Sequence, residues 1–347
     1  MVIRERQSNL ELLRILAMLM IVTLHFFSGN RLPPRNTPNE TVYFCYESLA
    51  ICGVDLFVLL TGYFSVREDR IKLRKIVDLL IDVAFWCFIG FMLNVATGDR
   101  PFSLKELIRD MFPIIFGGRW FVKAYILLML LVPFINRVSL TIDKKSFRTL
   151  LCIQLLLFSI WPSFLPNPPF DDYGYSFIHF ITIYMIAAYM RLYVDRYPAK
   201  WLCICGYLAS FAIVLLTKVM NWGYEWAYNY PFVIAEALFL FMYFKQISLK
   251  SSLTNRLASC AFGVYLIHTN SYFSSIGYDF LFHGSTAANG PVWLFVITVP
   301  ACSLFFYFFG FVLESTRKLL FQFTVDPLCD RIPLINSGIP VHGADNL

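Results

Sequence analysis

The feature that most constrains this chain is a succession of apolar windows of about 20 residues, the length an α-helix needs to cross a hydrocarbon core. They fall at 9–29, 46–64, 76–96, 120–139, 147–165, 175–194, 200–218, 229–246, 257–276 and 292–315. Packed into 347 residues, they leave connecting segments too short for a soluble domain. Hydrophobic residues make up 58% of the chain and charged residues 15%, against about 25% charged in a soluble domain. The expected fold class is therefore all-α: a polytopic membrane protein of about ten transmembrane helices. The stretch 102–117 is too short and too charged to span, and is expected to be interfacial or re-entrant.

The loops test this division. With the N-terminus inside, segments on the inner side hold 20 Lys and Arg residues and those on the outer side hold 7. The alternation obeys the positive-inside rule and puts both termini in the cytoplasm. The net charge of +6 thus orients helices, and no aromatic-and-basic pattern suited to nucleic acid is present. The domain reading is one ten-helix transmembrane domain over 1–316 and a short cytoplasmic tail over 317–347. No repeat with a period of about 20–50 residues appears. The first apolar run lacks a small-residue cleavage site and is followed by further spans, so it is not read as a cleavable signal. Most of the nine cysteines lie inside apolar runs and read as buried free thiols. Cys203 and Cys205 form a lone C-x-C without neighbouring histidines, so no metal site is expected.

The first window, "LELLRILAMLMIVTLHFF", carries Glu11, Arg14 and His25. Eleven residues bring Arg14 and His25 to within about 20° of one helix face and about 16 Å apart along the axis. Arg14 would lie in the cytoplasmic leaflet and His25 in the outer half. An arginine in the apolar zone costs about 2.5–3.5 kcal/mol on insertion scales and normally faces a bundle interior or a wet cavity. Arg14 also reads as an anchor paired with Glu11 one turn away.

This helix resembles the opening of the integral-membrane acyltransferase-three family, whose hallmark Arg, ten residues, then His is matched by Arg14 and His25. "GVDLFVLLTGYF" (Gly53 to Phe64) resembles the family's second-span segment, with Thr61 where a serine is usual. "RWFVKAYILLMLLVPFIN" resembles its Trp-Phe segment through Trp120 and Tyr125, and "CAFGVYLIH", ending in His268, resembles its late Tyr-Leu-x-His helix. The likeness runs over essentially the whole chain. It implies bacterial O-antigen or exopolysaccharide O-acetyltransferase chemistry in the bacterial inner membrane. No cofactor would be bound permanently, and acetyl-CoA or another acyl-CoA would be the donor.

Several further residues are candidates. Asp55, mid-span, reads either as a functional acid or as a structural pair with a neighbouring helix. The cluster Arg67, Arg70, Lys72, Arg74 and Lys75 suits topology and lipid headgroups, or the phosphates of coenzyme A, for which the arginine fork is well shaped. Arg70 and Arg74, with Arg14, are the expected donor-side cations. Asp78 and Asp82 share a helix face. His179 and Glu236 read as helix-to-helix hydrogen-bonding groups. Trp120, beside Arg119, reads as an interfacial tryptophan or a sugar contact, and His268 joins it on the acceptor side. His283 reads as solvated and His342 as uninformative.

The function expected is O-acyl transfer from acyl-CoA to a hydroxyl of a surface polysaccharide or its lipid-linked precursor. His25 would be the general base, suited by an unperturbed pKa of about 6.5, with Asp55 orienting or balancing the imidazole. An acyl-histidine intermediate fits the residues equally. The expected partners are acyl-CoA, the glycan or lipid-linked sugar, and membrane lipids. The rival class is a transporter or flippase of a glycan or lipid. It would call for two halves of matching hydropathy with broken helices in corresponding places, a symmetry this sequence does not display.

Overall fold

The structure, a computed structural model, describes residues 6–341. It is helical almost throughout. Among the described residues the strand content is one antiparallel pairing, Arg70–Ile71 with Ile339–Pro340. Among the described residues, seven apolar helical stretches are long enough to cross a membrane: Ser8–Phe26, Pro38–Ser65, Leu73–Ala96, Trp120–Thr141, Lys144–Phe164, Lys200–Val219 and Val292–Phe323. Each overlaps an expected window. The other three windows hold shorter helices, Phe177–Tyr193, Pro231–Lys245 and Ala261–His268. The first two are shortened by strong start signals, a Ser176 side chain accepting from the Ile178 N–H and a proline at the first turn of Pro231–Lys245. The third is interrupted. The chain turns after His268, Asn270 caps a new turn by accepting from the Tyr272 N–H, and Ser275–Leu281 winds as a π-helix. The expected interfacial stretch holds the short helix Leu104–Met111, whose Leu104 and Ile108 are exposed one turn apart. His342 lies outside the described residues, as does the rest of the tail beyond it.

The chain divides into two compact units, Met1–Phe57 with Tyr197–Ser315, and Val58–Arg196 with Thr316–Leu347. In the first unit Ser8–Phe26 packs against Pro38–Ala50, Pro231–Lys245, Ser252–Ala258 and Ala261–His268. Leu10, Leu13, Ala17, Val22 and Phe26 are wholly buried. Lipid tails are as apolar as leucine, so this burial stabilises through close packing more than through escape from water. Polar ends lock the helix in place. The Asn9 side-chain amide donates to the Phe244 carbonyl at 2.9 Å, satisfying an orphan acceptor at the end of Pro231–Lys245. Gly263 and Gly310 bring Ala261–His268 against Val292–Phe323: a Cβ on Gly310 would lie 3.1 Å from the Val264 backbone, and one on Gly263 would collide with the Glu314 side chain.

In the second unit Trp120–Thr141 packs on Phe177–Tyr193. Gly62 permits a backbone-close contact, since a Cβ there would fall 2.6 Å from the Tyr184 carbonyl oxygen. Asn136, buried on Trp120–Thr141, donates to the carbonyls of Ser65 at 2.6 Å and Glu68 at 2.9 Å and accepts from the Tyr184 hydroxyl at 2.7 Å. One amide thereby closes the end of the helix Gly53–Ser65 and ties it to two others. The tail returns to the basic segment: Ile339 and Pro340 pair with Ile71 and Arg70, and the Arg70 guanidinium donates to the Ser337 carbonyl at 3.3 Å.

Candidate active site

His25 sits in the last turn of Ser8–Phe26, and His268 is the last residue of Ala261–His268. His268 Nε2 lies 3.2 Å from His25 Nδ1, with the rings edge to face at 4.9 Å between centroids. Each ring also has its Nδ1 at 2.8 Å from the carbonyl oxygen one turn back, Ile21 for His25 and Val264 for His268. A carbonyl oxygen only accepts, so each Nδ1 carries a proton and donates it. This assigns both tautomers. His268 Nε2 is then a lone-pair acceptor that shares the single His25 Nδ1–H with the nearer Ile21 carbonyl, and the basic nitrogen of His25 is Nε2. His268 is buried and His25 exposed, so the inner ring orients the outer one.

The surroundings hold the His25 turn rigid. The Tyr278 hydroxyl donates to the Val22 carbonyl at 3.1 Å, and Thr23 shares a 2.9 Å hydrogen bond with Ser303. Arg31 Nε donates to the Phe26 carbonyl at 2.8 Å, while its Nη1 reaches both Asp279 oxygens, the nearer at 2.8 Å. The π-helix Ser275–Leu281 supplies Tyr278 and Asp279, so the irregular segment after His268 buttresses the end of the helix bearing His25. Irregular backbone at membrane depth is tolerated only where protein buries it or where it borders a wet cavity, and π-turns recur at functional sites. Tyr265, one turn before His268, adds an aromatic edge 6.5 Å from the His25 ring.

Asp55 is fully buried in the same unit, in the first turn of Gly53–Ser65. Its acidic neighbour is Glu236, also fully buried, which lies against the Cys52 thiol. Arg14 pairs with Glu11 one turn away, and its side chain is 27% exposed, so it stays reachable while paired.

A family model for an acyltransferase domain, that of the acyltransferase-three family, matches residues 7–314. The chain belongs to this family. Both histidines and the whole first unit's helical framework fall inside the acyltransferase domain. Nodulation protein NolL of Mesorhizobium japonicum is 26% identical over 195 residues, covering 53% of this chain and 48% of that protein. The chain therefore spans about half the length of the curated relative it matches. No solved structure matches.

The remaining candidates of the acyltransferase domain lie in the second unit. Arg74 is held by three carboxylates: Nε donates to Asp78 at 2.7 Å, Nη2 to Asp326 at 3.1 Å and Nη1 to Asp330 at 2.5 Å. Arg70, Lys72 and Lys75 line a narrow cavity of about 50 Å³ together with Thr61, Glu68 and Tyr125, room for a few water molecules. Thr61 and Tyr125, two residues of the family-like segments, share a hydrogen bond of 3.1 Å in its wall. Asp82, one turn from Asp78, pairs with the buried Arg317 at 2.7 Å. Trp120 opens Trp120–Thr141 and stacks edge-on against Tyr175 at 4.6 Å.

Sequence reasoning passed over Arg31, Asp279, Tyr278 and Tyr175 as site residues, and weighed Lys123 only as a structural partner for Asp55. Arg31 was countable only as an outer-loop charge, and its pairing with Asp279 joins residues 248 apart. The signal for Tyr278 and Asp279 was the polar run after His268, "TNSYFSS", which cannot continue an apolar span comfortably.

Proposed function

We propose that this chain is a membrane O-acyltransferase, in the first instance an O-acetyltransferase. It would move the acyl group of acyl-CoA to a hydroxyl of a bacterial surface polysaccharide or its lipid-linked precursor. The observation that carries this reading is the histidine pair, with His268 Nε2 3.2 Å from His25 Nδ1 in a chain of the acyltransferase family.

The chemistry follows from the tautomers. His25 Nε2 removes the proton from the acceptor hydroxyl as that oxygen attacks the thioester carbonyl carbon. The imidazolium so formed shares its Nδ1–H with His268 Nε2, which spreads the new charge into a buried ring. The tetrahedral adduct then collapses, the carbon–sulfur bond breaks, and the departing thiolate takes the proton from His25 Nε2. His25 ends as it began, and one ester replaces one thioester. Asp55, in the same unit, remains the proposed second residue of the site. His268, first assigned to the acceptor side, is better used here as the positioning residue.

Arg14, Arg70 and Arg74 are the proposed donor-side cations. Arg70, Lys72 and Lys75 border the narrow cavity and supply the charges for the coenzyme's phosphates at its mouth. Arg74, engaged by Asp78, Asp326 and Asp330, contributes mainly by holding the basic segment and the tail together. Trp120 is the proposed sugar contact. For topology we propose ten crossings, completed by the three shorter helices, in a single domain to 316. Both termini would lie in the cytoplasm and the protein in the inner membrane. The support is the loop asymmetry of 20 against 7 basic residues.

The test is purified chain with acetyl-CoA and candidate surface glycans. Free coenzyme A together with an added acetyl group on the glycan, read by mass spectrometry, is the expected result. Neither product with any glycan would favour the transporter class.

A further inference from the structure

A second feature of the Val58–Arg196 part of the chain is not used by the acyl-transfer step. It is an open cavity of about 500 Å³ at the start of Trp120–Thr141, lined by Arg119, Trp120, Lys123, Ala124, Leu127 and Tyr175 among others. Among the described residues that line it, two are cations and none is a carboxylate. Its aromatic wall is the Trp120–Tyr175 pair, ring centroids 4.6 Å apart, backed by Phe180 at 6.0 Å from Trp120. The volume falls within the range of about 300–1,000 Å³ typical of small-ligand sites.

The backbone here is unusual. Gly117, Gly118 and Arg119 adopt φ values of 99°, 110° and 46° in succession. Glycine tolerates such values, but an arginine in the left-handed region is strained, and strain of this kind persists where the surroundings over-determine it. Arg119 is also anchored against the Cys87 thiol. Lys123, one turn further along the helix, presents its ammonium on the same face. A rigid fork and a compact point charge thus lie beside a half-buried Trp120 and an exposed Tyr175. The ring faces suit the apolar face of a sugar, and the two cations suit an acid carried on it.

We propose that this cavity binds an acidic sugar, a saccharide unit bearing a carboxylate, with Arg119 and Lys123 meeting the carboxylate and Trp120 and Tyr175 meeting the ring. It rests on the reading that the acceptor is a glycan, and it narrows that class to acidic chains.

The experiment is calorimetric titration of the full chain in phosphatidylcholine nanodiscs. The probes are a glucuronate-containing tetrasaccharide and the same tetrasaccharide with its carboxylates reduced to alcohols. The acidic probe should bind about tenfold more tightly, the scale of one hydrogen bond to a charged group. Lys123→Gln should abolish that preference, Lys123→Arg should keep it, and Trp120→Leu should weaken both probes. Equal binding of the two probes by the wild-type chain would overturn the assignment, as would a preference that survives Lys123→Gln. Loss of the acidic probe when phosphatidylglycerol replaces part of the lipid would also overturn it, by marking the cavity as a headgroup site. The titration uses no acyl donor. A preference without acyl transfer therefore counts against the transferase reading alone, and acyl transfer without a preference counts against this site alone.

Discussion

His25 Nδ1 lies 3.2 Å from His268 Nε2, although 243 residues separate the two in sequence. Because both Nδ1 atoms face backbone carbonyls at 2.8 Å, the proton in this contact belongs to His25 and the lone pair to His268. That assignment makes the two rings unequal, and the inequality is measurable. His268→Phe should lower kcat by about tenfold or more, a barrier increase of about 1.4 kcal/mol, with KM for acyl-CoA little changed. His268→Gln, whose side-chain oxygen can accept, should recover part of the loss. A double His25→Ala, His268→Phe variant should be no worse than His25→Ala alone, because the pair acts as a unit. Additive losses would mean that His268 works independently of His25.

The basic segment holds Arg74, bound by three carboxylates, and Arg70, which borders the narrow cavity and is the proposed contact of the acyl donor. Arg70→Gln should raise KM for acyl-CoA while the melting temperature in detergent stays within a degree or so of wild type. Arg74→Gln removes bonds to Asp78, Asp326 and Asp330. Such partly exposed pairs are each worth about 0–1 kcal/mol, so the effect should be local. It should appear as faster limited proteolysis of the tail beyond Phe323, with the helical body intact. Equal tail protection in both variants would contradict this division.

Gly62→Val tests the close approach of Gly53–Ser65 to Phe177–Tyr193. The new Cβ would meet the Tyr184 carbonyl oxygen at 2.6 Å, backbone that cannot rotate away. The overpacking should cost about 1–3 kcal/mol, read as a lower melting temperature and reduced yield of folded protein. Gly62→Ala should give a smaller effect of the same sign.

Asn136→Leu keeps the side-chain volume roughly constant but leaves the Ser65 and Glu68 carbonyls and the Tyr184 hydroxyl without this partner. A buried group left unsatisfied costs about 1–3 kcal/mol. The variant should therefore melt earlier, and Tyr184→Phe combined with it should add little, since both remove the same bond. A fully additive double variant would show that the network is not shared.

Much of the architecture was legible because membrane insertion leaves a long, regular trace. Seven of the expected windows hold helices of full spanning length, each a run of apolar residues that the bilayer forces into helix. The broken window 257–276 was not legible as broken. Hydropathy averages over the polar residues His268, Thr269 and Asn270, whereas the interruption depends on the local bond from the Tyr272 N–H to the Asn270 side chain. The candidate site was legible in part. Arg14 and His25 stand out as polar residues in an apolar helix, and helical geometry alone places them on one stripe. The meeting of His25 with His268, like that of Arg31 with Asp279, is a long-range contact that no local pattern encodes. Arg74 looked like a free phosphate clamp because its carboxylate partners Asp326 and Asp330 lie more than 250 residues away in the tail.

The central claim is that His25 is the base of an acyl transfer. The most direct measurement is the rate of coenzyme A release from acetyl-CoA by purified His25→Ala protein in the presence of an acceptor glycan. It should be read alongside circular dichroism and detergent melting to establish that the fold is retained. The account predicts a folded protein whose turnover has fallen by about 10²–10⁴-fold, the usual contribution of a positioned general base. A folded His25→Ala protein with wild-type turnover would contradict it.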